Sequence, residues 1–143
     1  MEKFSTRVKE LRKQYGFTQK QLGEAIGGDV STYQNYEYNK AEPSVETLII
    51  LADIFHVSIG YLLGSENNNE KIIPDPSLIS LGFGERLRVL RKKNGYTLEQ
   101  MAKAVNRTTR MYCYYESGGG YPTLQGVLNL ADLLHVSIDE LIG

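Results

Sequence analysis

The chain has 143 residues, of which 41% are hydrophobic and 23% charged, with a formal net charge of −1 at pH 7. No apolar run is long enough to span a membrane, the N-terminus carries no secretory apolar stretch, and the single cysteine, Cys113, excludes an intrachain disulfide. A soluble chain in a reducing, cytoplasmic setting is expected, and the near-zero net charge gives no global basic signal for nucleic acid.

In chain order, Phe4, Val8, Leu11 and Tyr15 recur at helical spacing, with Arg7, Lys9, Arg12 and Lys13 on the other faces. Gly16 is placed to end that helix, because a left-handed residue is cheapest for glycine. Thr18-Gln19-Lys20-Gln21 reads as a capping box opening a short second helix that carries Leu22, Ala25 and Ile26. A turn is expected at Gly27-Gly28 and a third helix over about 30–38. Pro43-Ser44 announces a fourth helix, with the buried stripe Val45, Leu48, Leu51, Ala52 and Phe55. Ser58 caps a last short helix that closes on Gly64.

Residues 65–82 read as a linker. Its first part, Ser65 to Glu70, is polar. Its second part, from Ile72 to Leu81, is too apolar for a pure tether and is expected to pack on one of the domains. As a flexible coil, the 18-residue segment would span roughly 20–25 Å.

The pattern then repeats. Residues 4–64 align with 83–143 at an offset of 79 without a gap, giving 22 identities in 61 pairs. Phe83, Leu87 and Leu90 restate the first helix and Gly95 its end. Thr97-Leu98-Glu99-Gln100 restates the capping box, and Met101, Ala104 and Val105 the second helix. A turn at Asn106-Arg107, a third helix over about 109–117 and a cap at Pro122-Thr123 follow. Leu124, Val127, Leu130, Ala131 and Leu134 repeat the stripe, and Ser137 the last cap. The expectation is an all-α chain of two tandem five-helix domains, 1–64 and 83–143. Residues 1–64 hold seven Lys/Arg against eight Asp/Glu, whereas residues 83–143 hold eight against six. The second module is therefore the more basic.

Two short helices joined by a tight turn within a small bundle follow the helix-turn-helix plan. Each copy resembles the Cro and lambda-repressor type of that domain, the XRE family. The residues that carry the resemblance are Thr18-Gln19, Leu22 and Ile26-Gly27, then Ser31-Thr32-Tyr33 and Tyr36-Glu37, then Pro43-Ser44 and Thr47-Leu48, then Phe55 to Leu63. The likeness covers nearly all of the chain outside the linker and is closer in the first copy. It implies a prokaryotic or phage-borne transcriptional regulator, such as a repressor, acting by promoter occlusion or polymerase contact without performing chemistry. The implied partner is double-stranded operator DNA. Most relatives bind as homodimers, and two modules in one chain also allow a monomer to cover two half-sites.

Helical geometry places Val30, Ser31, Gln34, Asn35 and Tyr38 within about 140° of arc, with Tyr33, Tyr36 and Glu37 opposite. The second copy retains only the latter three, so the retained side is core and the divergent side surface. The corresponding outward residues there are Thr109, Arg110, Cys113, Tyr114 and Ser117, preceded by Arg107 and Thr108. Outward residues of this kind read base edges in a major groove: Asn35 suits adenine, Arg110 guanine and Val30 a thymine methyl. The resemblance adds Gln19 as a phosphate and base contact and Lys40 as a backbone contact. It also implies that Glu37 and Glu116 pair with arginines of the first helix, Arg12 and Arg91.

Departures temper each copy. Leu98 replaces Gln19, the loop 117–121 has no basic residue, and Asp29 opens the first recognition helix, where it caps well but repels phosphate. Tyr38, Tyr114 and Tyr121 are the tyrosines expected to be exposed beside the groove. Cys113 reads as a plain small side chain, and His56 and His135 as helix C-terminal residues rather than metal ligands. No metal spacing, nucleophile–base pair or phosphate loop is present, so neither a cofactor nor an enzyme is expected. The rival reading is a protein-interaction module, antitoxin-like or polymerase-binding, with weak or no DNA binding.

Overall fold

The computed structural model describes residues 2–65, 77–78 and 80–142. Among them are ten α-helices and no strand. The chain divides into two compact units, Met1–Lys71 and Ile72–Gly143. The first unit holds α1 (Glu2–Tyr15), α2 (Gln19–Ala25), α3 (Val30–Glu37), α4 (Val45–Phe55) and α5 (Ile59–Leu63). The second holds α6 (Phe83–Lys93), α7 (Leu98–Ala104), α8 (Thr109–Glu116), α9 (Leu124–Leu134) and α10 (Ile138–Ile142). No helix among the described residues is long and apolar enough to cross a membrane.

Helices this short are marginal alone in water, so packing has to hold them. In the first unit α1 packs on α3, α4 and α5, and α2 lies against α3. Phe4, Val8, Leu22, Tyr33, Leu48, Leu51, Phe55 and Leu62 are buried at the centre. In the second unit α6 packs on α8 and α10 and α7 on α8 and α9, around Leu87, Met101, Tyr112, Val127, Leu130 and Leu141. Truncating any of these buried aliphatics to alanine is expected to cost about 2–5 kcal/mol.

The helix ends follow local chemistry. The Thr18 and Thr97 hydroxyl oxygens each accept from the backbone N–H three residues on, and their own backbone N–H groups donate to Oε1 of Gln21 and Gln100, completing both capping boxes. Ser44, Ser58, Thr123 and Ser137 cap the later helices. Gly16 and Gly95 take left-handed conformations, φ +75° and +73°, where α1 and α6 stop. His56 and His135 are left-handed too, at φ 54° and 57°, and close α4 and α9 with their backbone N–H groups.

Gly23 is buried where α2 backs onto the turn leading to α3. A Cβ there would collide with the Asp29 carbonyl and crowd Val30 N at 2.9 Å. The matching residue in the second unit is Ala102, buried to 3% exposure. The turns themselves are alike: Gly27 (φ +79°) and Asn106 (φ 53°) occupy equivalent left-handed positions.

Several expected packing roles are corrected. Ala25 is exposed, and Gly23 is the small residue that α2 buries instead. Tyr15 is 44% exposed rather than core, although its hydroxyl donates to the Phe55 carbonyl at 3.0 Å. Tyr121 is half-buried because its ring lies 4.8 Å from that of Phe83. Of the linker, residues 66–76 and 79 lie outside the described residues. Leu78 is buried, and the buried Arg86 donates to the carbonyls of Leu78, Leu81 and Glu140 at 3.0, 3.0 and 3.1 Å. The end of the apolar segment is thereby tied to α6 and α10. At the equivalent place in the first unit, Arg7 donates to the Tyr61 carbonyl and stacks 4.1 Å over the Tyr61 ring.

Candidate nucleic-acid interface

In each unit a short helix, a tight turn and a second helix present one outward face. On α3 that face consists of Val30, Ser31, Asn35 and, at the C-cap, Tyr38, all exposed, with Gln34 half-exposed among them. Tyr33, Tyr36 and Glu37 point into the core. Lys40 is exposed just beyond, its ammonium 6.0 Å from the Tyr38 ring. Asp29 caps the helix, accepting from Thr32 N at 2.9 Å and Thr32 Oγ1 at 3.0 Å. Those hydrogen bonds hold its carboxyl below the ordinary range, so a negative charge stands at the helix start.

On α8, Arg110 and Tyr114 are exposed, as is Arg107 in the turn before it, while Thr109 and Cys113 are half-buried. Arg107 donates to the Asn106 carbonyl at 3.1 Å. Thr108 is exposed, but its hydroxyl oxygen accepts from Met111 N at 3.1 Å as the helix cap. Met111, 36% exposed, joins this surface without having been expected there. It stands at the flank of the arc, where helical angle alone does not separate surface from core.

Beneath the first face lies a polar network. Arg12 Nε meets Glu37 Oε1 at 2.6 Å and Arg12 Nη2 meets Oε2 at 3.4 Å. Tyr33 donates to Oε1 at 3.1 Å, and Gln19 Nε2 donates to Oε2. Four donors thus occupy a carboxylate with about four acceptor sites. The Glu37 side chain is 1% exposed. Burial pushes the Glu37 carboxyl up, but the hydrogen bonds from Arg12, Gln19 and Tyr33 and the Arg12 charge outweigh burial and hold it below the usual carboxylate range. The same pairing raises the Arg12 guanidinium. Burial, then the Glu37 charge, push the Tyr33 phenol far up, so it remains a donor.

The network continues outward. Gln19 Oε1 accepts from Gln34 Nε2 at 3.0 Å. Gln19 is therefore not a free reaching side chain: one end is held by Glu37 and the other by Gln34. The family resemblance assigns it to the ligand, because a match of residues carries no information on where an amide group points.

The second unit keeps the ion pair and loses the rest. Arg91 Nε lies 2.9 Å from Glu116 Oε1, and Arg91 Nη1 reaches the Tyr96 carbonyl at 3.4 Å. Leu98 and Cys113 occupy the positions of Gln19 and Gln34. The Tyr112 hydroxyl is buried with no hydrogen-bond partner among the described residues. Burial, then the Glu116 charge, push that phenol up.

Neither module offers a group of His, Cys, Asp and Glu able to hold a metal among the described residues. What the faces do offer is donors, acceptors and apolar contacts on a convex helical surface.

Comparison with known proteins agrees with this geometry. Residues 8–62 match the family described as Helix-turn-helix, and residues 83–141 the family described as Helix-turn-helix domain. The HTH-type transcriptional regulator YqaE of Bacillus subtilis is 34% identical over 101 residues, which cover 71% of this chain and 84% of that protein. YobD, another HTH-type transcriptional regulator of Bacillus subtilis, is 36% identical over 75 residues, 52% of this chain and 62% of YobD. The cryptic phage CTXphi transcriptional repressor RstR of Vibrio cholerae is 44% identical over 59 residues, 41% of this chain and 53% of RstR. The chain thus spans less than two thirds of YobD and RstR and most of YqaE. No solved structure matches the chain. With a helix-turn-helix match in each half and a regulator matched over most of its length, the chain belongs to the helix-turn-helix family of transcriptional regulators.

Proposed function

We propose that the protein is a cytoplasmic repressor that reads an asymmetric operator with two different helix-turn-helix faces. The modules would be residues 1–64 and 83–143, joined by 65–82. The observation that carries the reading is the pair of outward faces on α3 and α8. They stand on one frame yet carry different chemistry: Ser31, Gln34 and Asn35 in one, Arg107, Thr109 and Arg110 in the other. A helix in a major groove uses such residues on base edges and cations beside it on phosphates. Val30 and Tyr114 suit thymine methyl and sugar contacts, and Lys40 the backbone. Gln19 and Thr108 support the faces, one through Gln34 and the other as a cap. The repressor role is carried over from the name of RstR. Linkage of the modules raises the effective concentration of the second to about millimolar, so a monomer suffices, and a homodimer would double the site.

One observation favours a second reading, that of a module gripping another protein. α8 exposes Met111 at 36% and Tyr114 at 49%, and the chain as a whole is not basic. In vitro selection of duplexes from random sequence by the full chain separates the two. Enrichment of an asymmetric motif, altered at different positions by Asn35→Ala and Arg110→Ala, is the expected result. Failure to enrich any sequence at low salt would transfer the function to the protein-binding reading.

A further inference from the structure

We infer that Gln34 reads an exocyclic amino group, the N6 of adenine or the N4 of cytosine, and that Gln19 and Glu37 fix this choice from beneath the face. The inference rests on the DNA-reading role proposed above for α3.

The argument is one of hydrogen-bond polarity. An ionised carboxylate can only accept. Glu37 is ionised and held on the other side by Arg12 and Tyr33, so the Gln19 atom against it must be Nε2. The Gln19 carbonyl oxygen then faces α3, and Gln34 must meet it with its own Nε2, at 3.0 Å. The sequence of donors and acceptors is set by the one charge at its buried end. What Gln34 has left for a ligand is its carbonyl oxygen, with a single remaining N–H. In the major groove adenine and cytosine offer amino donors, whereas guanine O6 and N7 and thymine O4 are acceptors. A freely rotating amide would suit either kind. Turning the Gln34 amide over in this site would place its oxygen against the Gln19 oxygen and lose the 3.0 Å bond.

The second module supplies the comparison. With Leu98 and Cys113 at the two positions, no such relay exists, and the Tyr112 hydroxyl beneath it is unpaired among the described residues. Leu98 also shows that this frame accepts leucine where Gln19 stands, which makes Gln19→Leu the natural probe.

The experiment uses the full chain. In vitro selection with wild type and Gln34→Ala first identifies the base pair whose preference Gln34 sets. At that pair the amino group is then deleted, with purine in place of adenine or 2-pyrimidinone in place of cytosine. The N7 acceptor is deleted separately with the 7-deaza purine. Amino deletion should weaken wild-type binding about fivefold to tenfold, N7 deletion by less because only the single remaining N–H can reach N7, and neither should matter to Gln34→Ala. In Gln19→Leu the loss on amino deletion, taken relative to that protein's own binding of the unmodified motif, should shrink to about twofold; Gln19→Met carries the same expectation if leucine unfolds the module. A larger loss on N7 deletion than on amino deletion would overturn the inference. So would a Gln19→Leu protein as sensitive to amino deletion as wild type, or a motif that Gln34→Ala leaves unchanged. Selection that enriches no sequence would instead remove the DNA-reading role itself, and this inference with it.

Discussion

The two modules share a frame and differ in what lies under the reading face. Glu37 receives Arg12 twice, Gln19 and Tyr33, whereas among the described residues Glu116 receives Arg91 alone, at 2.9 Å. Their side chains are 1% and 9% exposed. The difference teaches that the arginine–glutamate pair is the transferable part and the relay above it is an addition of the first module. A buried carboxylate has to be satisfied, and each missing donor raises the cost of keeping it.

The sharpest way to break this comparison is to neutralise both acids. Glu37→Gln should destabilise the first module by about 3–5 kcal/mol, because it strands Arg12 and leaves surplus donors. Glu116→Gln removes one charge-assisted bond and should cost about 1.5–3 kcal/mol. Denaturant unfolding of the full chain measures both, and equal losses would mean that the relay adds nothing to the first pair.

On DNA, Asn35→Ala should lose about 1–3 kcal/mol of discrimination at one or two base pairs. Arg110→Ala should instead weaken binding broadly and reduce the slope of log K against log salt by about 0.9 for each phosphate it no longer neutralises. Salt titrations on a selected operator and a scrambled duplex separate these outcomes. The same response to both substitutions would erase the division of labour between the modules.

The tyrosines give a smaller and opposite pair of effects. Tyr33→Phe removes a hydrogen bond to a charged acceptor and should cost about 1.5 kcal/mol. Tyr112→Phe removes a buried hydroxyl that has no partner among the described residues, so it should be neutral or stabilising. Thermal melts of the two variants decide it, and a destabilised Tyr112→Phe would reveal a partner for that hydroxyl.

Acid should touch the first module through Glu37. Its folded-state pKa lies below the unfolded value of about 4.3, so the carboxylate binds fewer protons folded than unfolded. Its contribution is therefore complete above that unfolded value and fades as pH falls through the folded one. Unfolding followed from pH 7 to pH 3 should show wild type losing its advantage over Glu37→Gln at the acid end. A constant difference across that range would place the Glu37 pKa at its ordinary value.

Much of this was legible in the residues. Most helix starts carry their own hydroxyl caps, and the stripes Val45 to Phe55 and Leu124 to Leu134 name the core because burial repeats at helical spacing. The outward arcs of α3 and α8 follow from 100° per residue and from the divergence of the copies. What spacing does not contain is direction and competition. It does not tell that Gln19 turns inward to a carboxylate, that Thr108 uses its hydroxyl as a cap, or that Tyr121 leaves the groove for the ring of Phe83. Nor does periodicity foresee Gly23 in the core in place of Ala25, since that depends on how closely α2 meets the turn.

That close approach bears on how such a regulator is re-targeted. The α2 backbone at Gly23 leaves no room for a side chain against the Asp29 carbonyl, whereas Ala102 fits at the same place in the other module. The short helices that lead into the turn, α2 and α7, are consequently not interchangeable on a fixed turn. A chimera that moves α7 alone, 98–104, onto the native turn of the first module imports a methyl group at Gly23 that must push that turn aside and tilt the helix it leads into. Exchange of the outward side chains alone, on the native backbone with Gly23 kept, is the route by which one reading head can take on the preference of the other.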